Sequence, residues 1–396
     1  MKTNSILSPL GCFLMLVAIG MPIAVSRADE ALAVAPIYGD HMVLQREMKL
    51  PMWGIGQAGS EVTVTFANQA KMTTVNSAGE WRVVLDAMEA SSKPRRINVS
   101  DGSSEIVFED VLVGEVWLCS GQSNMQFKLS SCENADAEIA AANHAELRLN
   151  GGQGWSVSSP ESVPGFSGVA YFFGRKLNAE TGVPVGLIAR ALGGTPVEWW
   201  TPADKLERVD FAKAAMANRS EEWMKYEKAI AEWKEKVKAE GRKVAGKKPV
   251  AAGTAEEGVL NGIYAPDKVG SLYAQHLAPM AGFAIRGAIW YQGERNSKAG
   301  VEASKAYRPL LANMITNWRE EWGQGDFAFL VVQLPTFAGG GEGWGIVQEA
   351  QAAAVGDVPN AGYIDIRDQP DGGLHPKNKK PVGERLAALA TEKSVK

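Results

Sequence analysis

The stretch Gly121-Gln122-Ser123-Asn124 places a serine just past the apolar run "EVWLC", where the chain has to turn. Such a serine can act as a nucleophile. The glycine permits a sharp turn, and a helix starting after it aims free N–H groups at an oxyanion. Met125 stands where the last glycine of G-x-S-x-G would be, so the α/β-hydrolase nucleophile elbow is not spelled out. Taken alone, Gly-x-Ser reads first as an ordinary strand-to-helix turn.

A nucleophilic serine needs a base, and the chain offers four histidines: His41, His144, His276 and His375. His41 falls in a β-rich region, His144 at an expected helix end in "AANHAELRL", and His276 in a helical stretch after "SLYAQ". His375 differs. It stands in "DQPDGGLHPKNK", a Gly/Pro-rich loop after the apolar strand "AGYIDI", with Asp371 four residues upstream and Asp368 seven. A carboxylate on that loop could orient the ring and stabilise its imidazolium. The strand in "IWYQGERN" ends by delivering Gln292, and "ALGGTPVEWW" offers the backbone N–H groups of Gly193 and Gly194. Any of these could donate to an oxyanion, where one donor is typically worth about 2.7–4 kcal/mol. Each glycine pair also reads simply as a turn. A glycosidase would combine Glu294 with Asp365, Asp368 or Asp371, but no pair with the required geometry can be read. Trp199, Trp200, Trp290 and Trp344 lie in or near these loops, where core packing competes with stacking on sugar rings.

The elements that would position these residues are of two kinds. Over 35–110, short alternating runs such as "EVTVTF", "GEWRVVL" and "RRINVS" are separated by "GQAGS" and "NSAGE". They predict a small β-sandwich, jelly-roll-like accessory domain. Over 111–396, apolar strands ("DVLVGEVWL", "VPVGLIARAL", "AIRGAIWYQ", "FAFLVVQL") alternate with helical stretches ("VAYFFGRKLNAE", "AYRPLLANMITNWREEW", "KPVGERLAALATEK"). That alternation predicts an α/β fold with a parallel sheet, whose ligands bind at the carboxyl ends of the strands. A Lys/Ala-rich helical insertion, with a polar low-complexity loop "RKVAGKKPVAAGTAEEG", occupies about 204–258 and is expected to be a solvated face.

The chain has 396 residues, 45% of them hydrophobic and 22% charged, with a net charge of −4. That balance gives no electrostatic case for nucleic acid or an anionic membrane surface. Lys2, the apolar "GCFLMLVAIGMPIAV" and Ser26-Arg27-Ala28 read as a signal peptide over 1–28, which implies a secreted or periplasmic protein. Cys119 and Cys132 are the cysteines that remain, too few for a disulfide scaffold or a structural zinc site. Whether they pair is open. No metal-ligand spacing and no phosphate loop are visible.

"GEVWLCSGQSNM", "ALGGTPVEWW", "IWYQGERN" and "LHPKNK", in that order, resemble the blocks of the SGNH hydrolases, specifically their sialate O-acetylesterase-like branch. "GDHMVLQR" and the β-rich region resemble that branch's N-terminal part, so the likeness covers nearly the whole mature chain. It implies an SGNH-type three-layer α/β fold and a cofactor-free serine esterase that removes O-acetyl groups from carbohydrates. Ser123 would be the nucleophile, His375 the base and Asp371 the nearest acid. The Ser123 N–H, Gly194 and Gln292 would form the oxyanion hole, with Gly193, Glu294, Arg295 and Asn124 in support or against substrate. Three departures stand out. Gly372 and Gly373 replace the acid usual two or three residues before the histidine. Arg295 stands where a small residue is commoner. The chain also ends soon after "GERLAALA", where many relatives continue. The alternative reading is a carbohydrate-binding protein whose catalytic set has decayed.

Overall fold

The computed structural model describes residues 31–218, 221–250, 253–370 and 372–394. The leader expected over 1–28 and the expected acid Asp371 lie outside the described residues.

The architecture is mixed α/β and is organised on one strand, Glu105–Gly121, seventeen residues long. Its first part pairs antiparallel with Ser91–Ser100, and Leu112–Gly114 pair with Val43–Gln45. Its last part runs parallel to Val185–Ala191 on one side and Gly287–Tyr291 on the other. The expected domain boundary at 110/111 therefore falls inside a continuous strand. Glu105 to Asp110 alternate in exposure, as in a sheet wetted on one face, whereas Val111 to Gly121 are buried throughout, as in a strand covered on both. The sheet continues in the order Trp155–Ser158, His144–Asn150, Val185–Ala191, Glu105–Gly121, Gly287–Tyr291, Ala328–Val332, Ala361–Ile364. The Trp155–Ser158 edge is antiparallel and the other pairings in this series are parallel. A smaller antiparallel sheet joins Ala33–Val34, Leu50–Ile55 and Glu80–Leu85.

Helix Gly168–Thr181 opens on Ser167, whose hydroxyl accepts from the Ala170 N–H at 3.1 Å, and packs against Lys380–Ser394. Helices Tyr307–Trp322 and Glu342–Ala354 pack on each other.

Two sequence expectations are corrected. His144 is the first residue of a strand, not a helix end, because Leu147 and Leu149 must enter the core beside Val185–Ile188. The polar loop expected after the charged helix Glu221–Glu240 holds a short helix, Arg242–Ala245, and is cut short by another, Ala255–Ile263, capped by the Thr254 hydroxyl. Cys119 and Cys132 are both free and buried. Among the described residues, no helix is long and apolar enough to cross a membrane.

Candidate active site

The strand Glu105–Gly121 ends against Gly287–Tyr291, and the junction admits only glycine. Gly121 has φ +137°, and a Cβ there would lie 2.2 Å from the Tyr291 carbonyl oxygen. The chain turns there and starts a single helical turn at Ser123. Ser123 is half-buried, between the core and the surface.

His375 reaches Ser123 from the far end of the chain. Its Nε2 lies 2.8 Å from the Ser123 Oγ, across 252 residues of sequence. The ring stacks on Phe127 at a centroid distance of 6.4 Å. Burial, then the positive charges of Lys379 and Lys298, hold its pKa below the ordinary histidine value. The imidazole is therefore neutral at pH 7 and able to accept the serine proton.

The Leu192–Thr195 loop closes over the serine. The Leu192 N–H donates to the Gly121 carbonyl, and the Gly193 N–H to the Gln126 Oε1 at 2.9 Å. A Cβ on Gly193 would sit 3.3 Å from that of Ser123, so the two backbones nearly touch. Gly194 takes φ +74°, lies exposed, and its N–H has no partner among the described residues. Gly193 is thus spoken for, and Gly194 keeps a donor to give.

Gln292 directly follows the strand Gly287–Tyr291, at the strand end the sequence suggested. It is fully buried, with its amide nitrogen 3.1 Å from Gln122 Oε1, 3.1 Å from the Thr195 carbonyl and 2.8 Å from Asn296 Oδ1. Its Oε1 accepts from the Tyr307 hydroxyl. An amide has two hydrogens, and here three protein acceptors compete for them, so Gln292 ties the loops together behind the serine instead of holding a donor in reserve. Asn296 extends this network to the buried Glu198, which Tyr264 also reaches. Arg295 is half-buried, and its backbone N–H donates to Gln122 Oε1.

Asn124 joins three motif blocks. Its Nδ2 donates to Glu294 Oε1 at 2.6 Å and to the carbonyl of Leu374, next to His375, at 3.0 Å. Its Oδ1 accepts from the Lys379 ammonium at 2.5 Å. Lys379 and Glu294 are both buried. Burial pushes Glu294 up to about 6 and Lys379 down to about 8, each against the other's opposing charge. The Lys379 ammonium also lies over the rings of Phe127 and Tyr291. Sequence reading passed over Lys379, although it sits inside "LHPKNK"; no local pattern distinguishes a buried lysine from the exposed Lys377 and Lys380 beside it.

The remaining candidates are engaged elsewhere. Asp368 holds Arg385 through both oxygens and Asp365 holds Arg367, so neither carboxylate is free. His41 bonds Asp110, and the His144 ring lies 3.4 Å from the Tyr171 hydroxyl. His276 stands on a π-helical turn, stacked on Trp200. Trp200, Trp290 and Trp344 are buried and cannot meet a sugar; Trp199 is half-buried with its N–H on the Ile263 carbonyl. Among the described residues, no group of three or more His, Cys, Asp or Glu is placed to hold a metal ion.

Comparison with known proteins bears on this arrangement. The family described as "Carbohydrate esterase, sialic acid-specific acetylesterase" matches residues 113–246 and 261–392. A sialate O-acetylesterase from Homo sapiens is 28% identical over 407 residues, covering 89% of this chain and 69% of its own length. The Rattus norvegicus enzyme of the same name is 28% identical over 432 residues, covering 96% and 76%. The crystal structure of a carbohydrate acetylesterase from Xanthomonas citri superposes with a TM-score of 0.71 at 29% identity, over 92% of this chain and 75% of that one.

Proposed function

The chain belongs to the carbohydrate esterase family of sialic acid-specific acetylesterases, and on that premise we propose that it hydrolyses O-acetyl groups on carbohydrates through an acetyl-serine formed at Ser123. The observation that carries this reading is the 2.8 Å contact between Ser123 Oγ and His375 Nε2. The His375 ring accepts the hydroxyl proton as Oγ attacks the acetyl carbonyl carbon. Negative charge then grows on the carbonyl oxygen, toward the Ser123 and Gly194 N–H groups. Collapse breaks the bond between the acetyl carbon and the sugar oxygen, and that oxygen takes the proton from the imidazolium and leaves as a hydroxyl. Water, deprotonated by the same ring, attacks the acetyl-serine, and acetate leaves with Ser123 restored.

Asn124 acts as a positioning residue, because it fixes the peptide next to His375 while Glu294 and Lys379 fix it in turn. The motif blocks and their order support an SGNH-type fold, with a β-sandwich accessory domain over 35–110. The leader pattern over 1–28 supports export, to the periplasm or beyond. The substrate would be an acetylated mono-, oligo- or polysaccharide.

Acetate release from a panel of acetylated sugars, with wild type beside Ser123→Ala and His375→Gln, tests the mechanism. Both variants should fall by at least about 10³-fold. Release by wild type that persists in Ser123→Ala would move the chemistry to another residue. Sugar binding with no release by wild type would mean a binding protein. A chelator should leave the activity unchanged.

A further inference from the structure

The loop that presents Gly194 is held from behind. The Thr195 hydroxyl donates to the Leu192 carbonyl at 2.7 Å, and the Thr195 carbonyl lies 3.1 Å from the Gln292 amide nitrogen. Two residues on, the Val197 N–H donates to Asn296 Oδ1 at 3.1 Å. Pro196 stands between these anchors with φ −84°, set by its ring, so a shift of the Val197 peptide is passed back toward Gly194. Thr195, Val197 and Asn296 are all buried.

Asn296 serves this loop only one way round. Its oxygen faces the Val197 N–H and the Gln292 amide nitrogen, the latter at 2.8 Å, and its nitrogen donates to Glu198 Oε2 at 2.9 Å. Turned over, the amide would set its NH2 against the Val197 N–H, donor against donor, and its oxygen against a carboxylate oxygen. Glu198 therefore makes the useful face the stable one. The other Glu198 oxygen accepts from the Tyr264 hydroxyl at 2.9 Å, and its backbone carbonyl from the Gly270 N–H. Tyr264 directly follows the helix Ala255–Ile263, and Trp199, next to Glu198, donates its ring N–H to the Ile263 carbonyl at 2.9 Å. Burial raises the Glu198 pKa, while the bonds from Asn296 and Tyr264 and the charge of Arg295 oppose that rise and favour the accepting form. A buried carboxylate is costly to fold around. No step at Ser123 or His375 uses this one.

We propose that Glu198 is a positioning residue for the reaction. Through Asn296 it fixes the 192–197 loop so that the Gly194 N–H meets the developing oxyanion, and Tyr264 ties that setting to the helix Ala255–Ile263. This rests on the esterase reading above and adds to it a residue that acts from behind the oxyanion loop.

The test measures kcat and KM on the acetylated sugar that wild type cleaves fastest, in Glu198→Leu, Glu198→Gln and Tyr264→Phe. Loss of one oxyanion donor costs about 10²- to 10³-fold in kcat, and a donor displaced but not removed costs less. Glu198→Leu should lower kcat by about 10- to 100-fold and leave KM within about three-fold, because the weakened bond forms only in the transition state. Glu198→Gln keeps an oxygen for Asn296 and turns its nitrogen to the Tyr264 hydroxyl, so it should recover most of that loss. Tyr264→Phe, which frees one oxygen of Glu198, should lower kcat by about two- to five-fold. Wild-type kcat in a folded Glu198→Leu would overturn the proposal. So would a raised KM with kcat unchanged, which would make Glu198 a support for substrate binding. If Glu198→Leu does not fold, Tyr264→Phe decides, and an unchanged kcat there overturns the proposal. If wild type cleaves no ester at all, the esterase reading has failed by itself. The loop is then read by NMR from the Gly194 amide in protein labelled with 15N-glycine, its peak assigned by its loss in Gly194→Ala. A peak that moves in Tyr264→Phe or Glu198→Leu and least in Glu198→Gln supports the placement; one that holds its position in all three overturns it.

Discussion

The base works among positive charges that differ in depth. Lys379 is buried and bonded, whereas Lys298 is exposed, yet both disfavour the His375 imidazolium. Removing Lys298 removes one of the charges that lower the His375 pKa, so that pKa should rise. In Lys298→Ala the acid limb of kcat/KM should therefore move to higher pH, by less at high salt, where an exposed charge is screened. A limb that stays put in low salt would show that Lys298 does not tune the base, leaving burial and Lys379 to do so. Lys379 plays a different part. Lys379→Met leaves Glu294 buried beside Asn124 without its counter-charge, and such a change costs about 3–5 kcal/mol of stability. The double variant Lys379→Met/Glu294→Gln should recover part of that loss, because the two charges are coupled through one amide. Urea midpoints for the four proteins close the cycle; additive losses would mean the charges act independently. Ser123 and His375 each read alone as a turn or loop residue. What singled them out in the sequence was the order of the motif blocks that contain them, and the structure brings the two side chains within 2.8 Å. The bonding of Lys379, Glu198 and Gln292 was not legible, since most of it is made with residues tens to hundreds of positions away.

Strand ends do the positioning, and their tolerance is set by backbone approach. At Gly121 any side chain would collide with the Tyr291 carbonyl at 2.2 Å and force φ +137° on an L-residue. Gly121→Ala should lower stability by about 2–4 kcal/mol, combining backbone strain with overpacking, and should reduce activity by displacing Ser123. Gly325→Ala is the control: φ is +69° but nothing lies within 4 Å of its Cβ, so only about 1–2 kcal/mol is expected and activity should be kept. Equal thermal shifts in the two would refute the steric account. At this scale the sequence was readable where one pattern dominated. The alternation of "EVTVTF" and the continuous apolar "VWLC" both name their faces correctly. "AANHAELRL" misled because an alanine-rich start looks helical. Only the neighbouring strand Val185–Ala191 shows that Leu147 and Leu149 are needed in the sheet.

Taken whole, the molecule depends on a joint that composition could not reveal. The strand Glu105–Gly121 passes from the N-terminal strands into the parallel sheet, and Asp110 marks the passage with φ +52°. Its carboxylate receives Arg148 Nη1 at 2.5 Å and Nη2 at 3.2 Å, and faces His41 Nδ1 at 2.7 Å. Arg148 belongs to the inner sheet and is buried, while His41 belongs to the N-terminal turn, so one carboxylate clasps both parts. Burial pushes the Asp110 pKa up, but the bonds from Arg148 and His41 outweigh it and leave it below the ordinary value. A carboxyl held low in the folded state adds stability that is present above the unfolded value of about 4 and is lost as pH falls through the folded one. Asp110→Asn strands the buried Arg148 guanidinium and should cost about 3 kcal/mol at pH 7. Urea unfolding followed from pH 7 downward should show that gap closing below about pH 4, as wild type protonates and loses what the variant never had. Because the long strand is shared, wild type should unfold in one transition with a single slope. A second transition in Asp110→Asn alone would identify the clasp as what makes the two parts cooperate, whereas two transitions in wild type would show that the shared strand does not couple them.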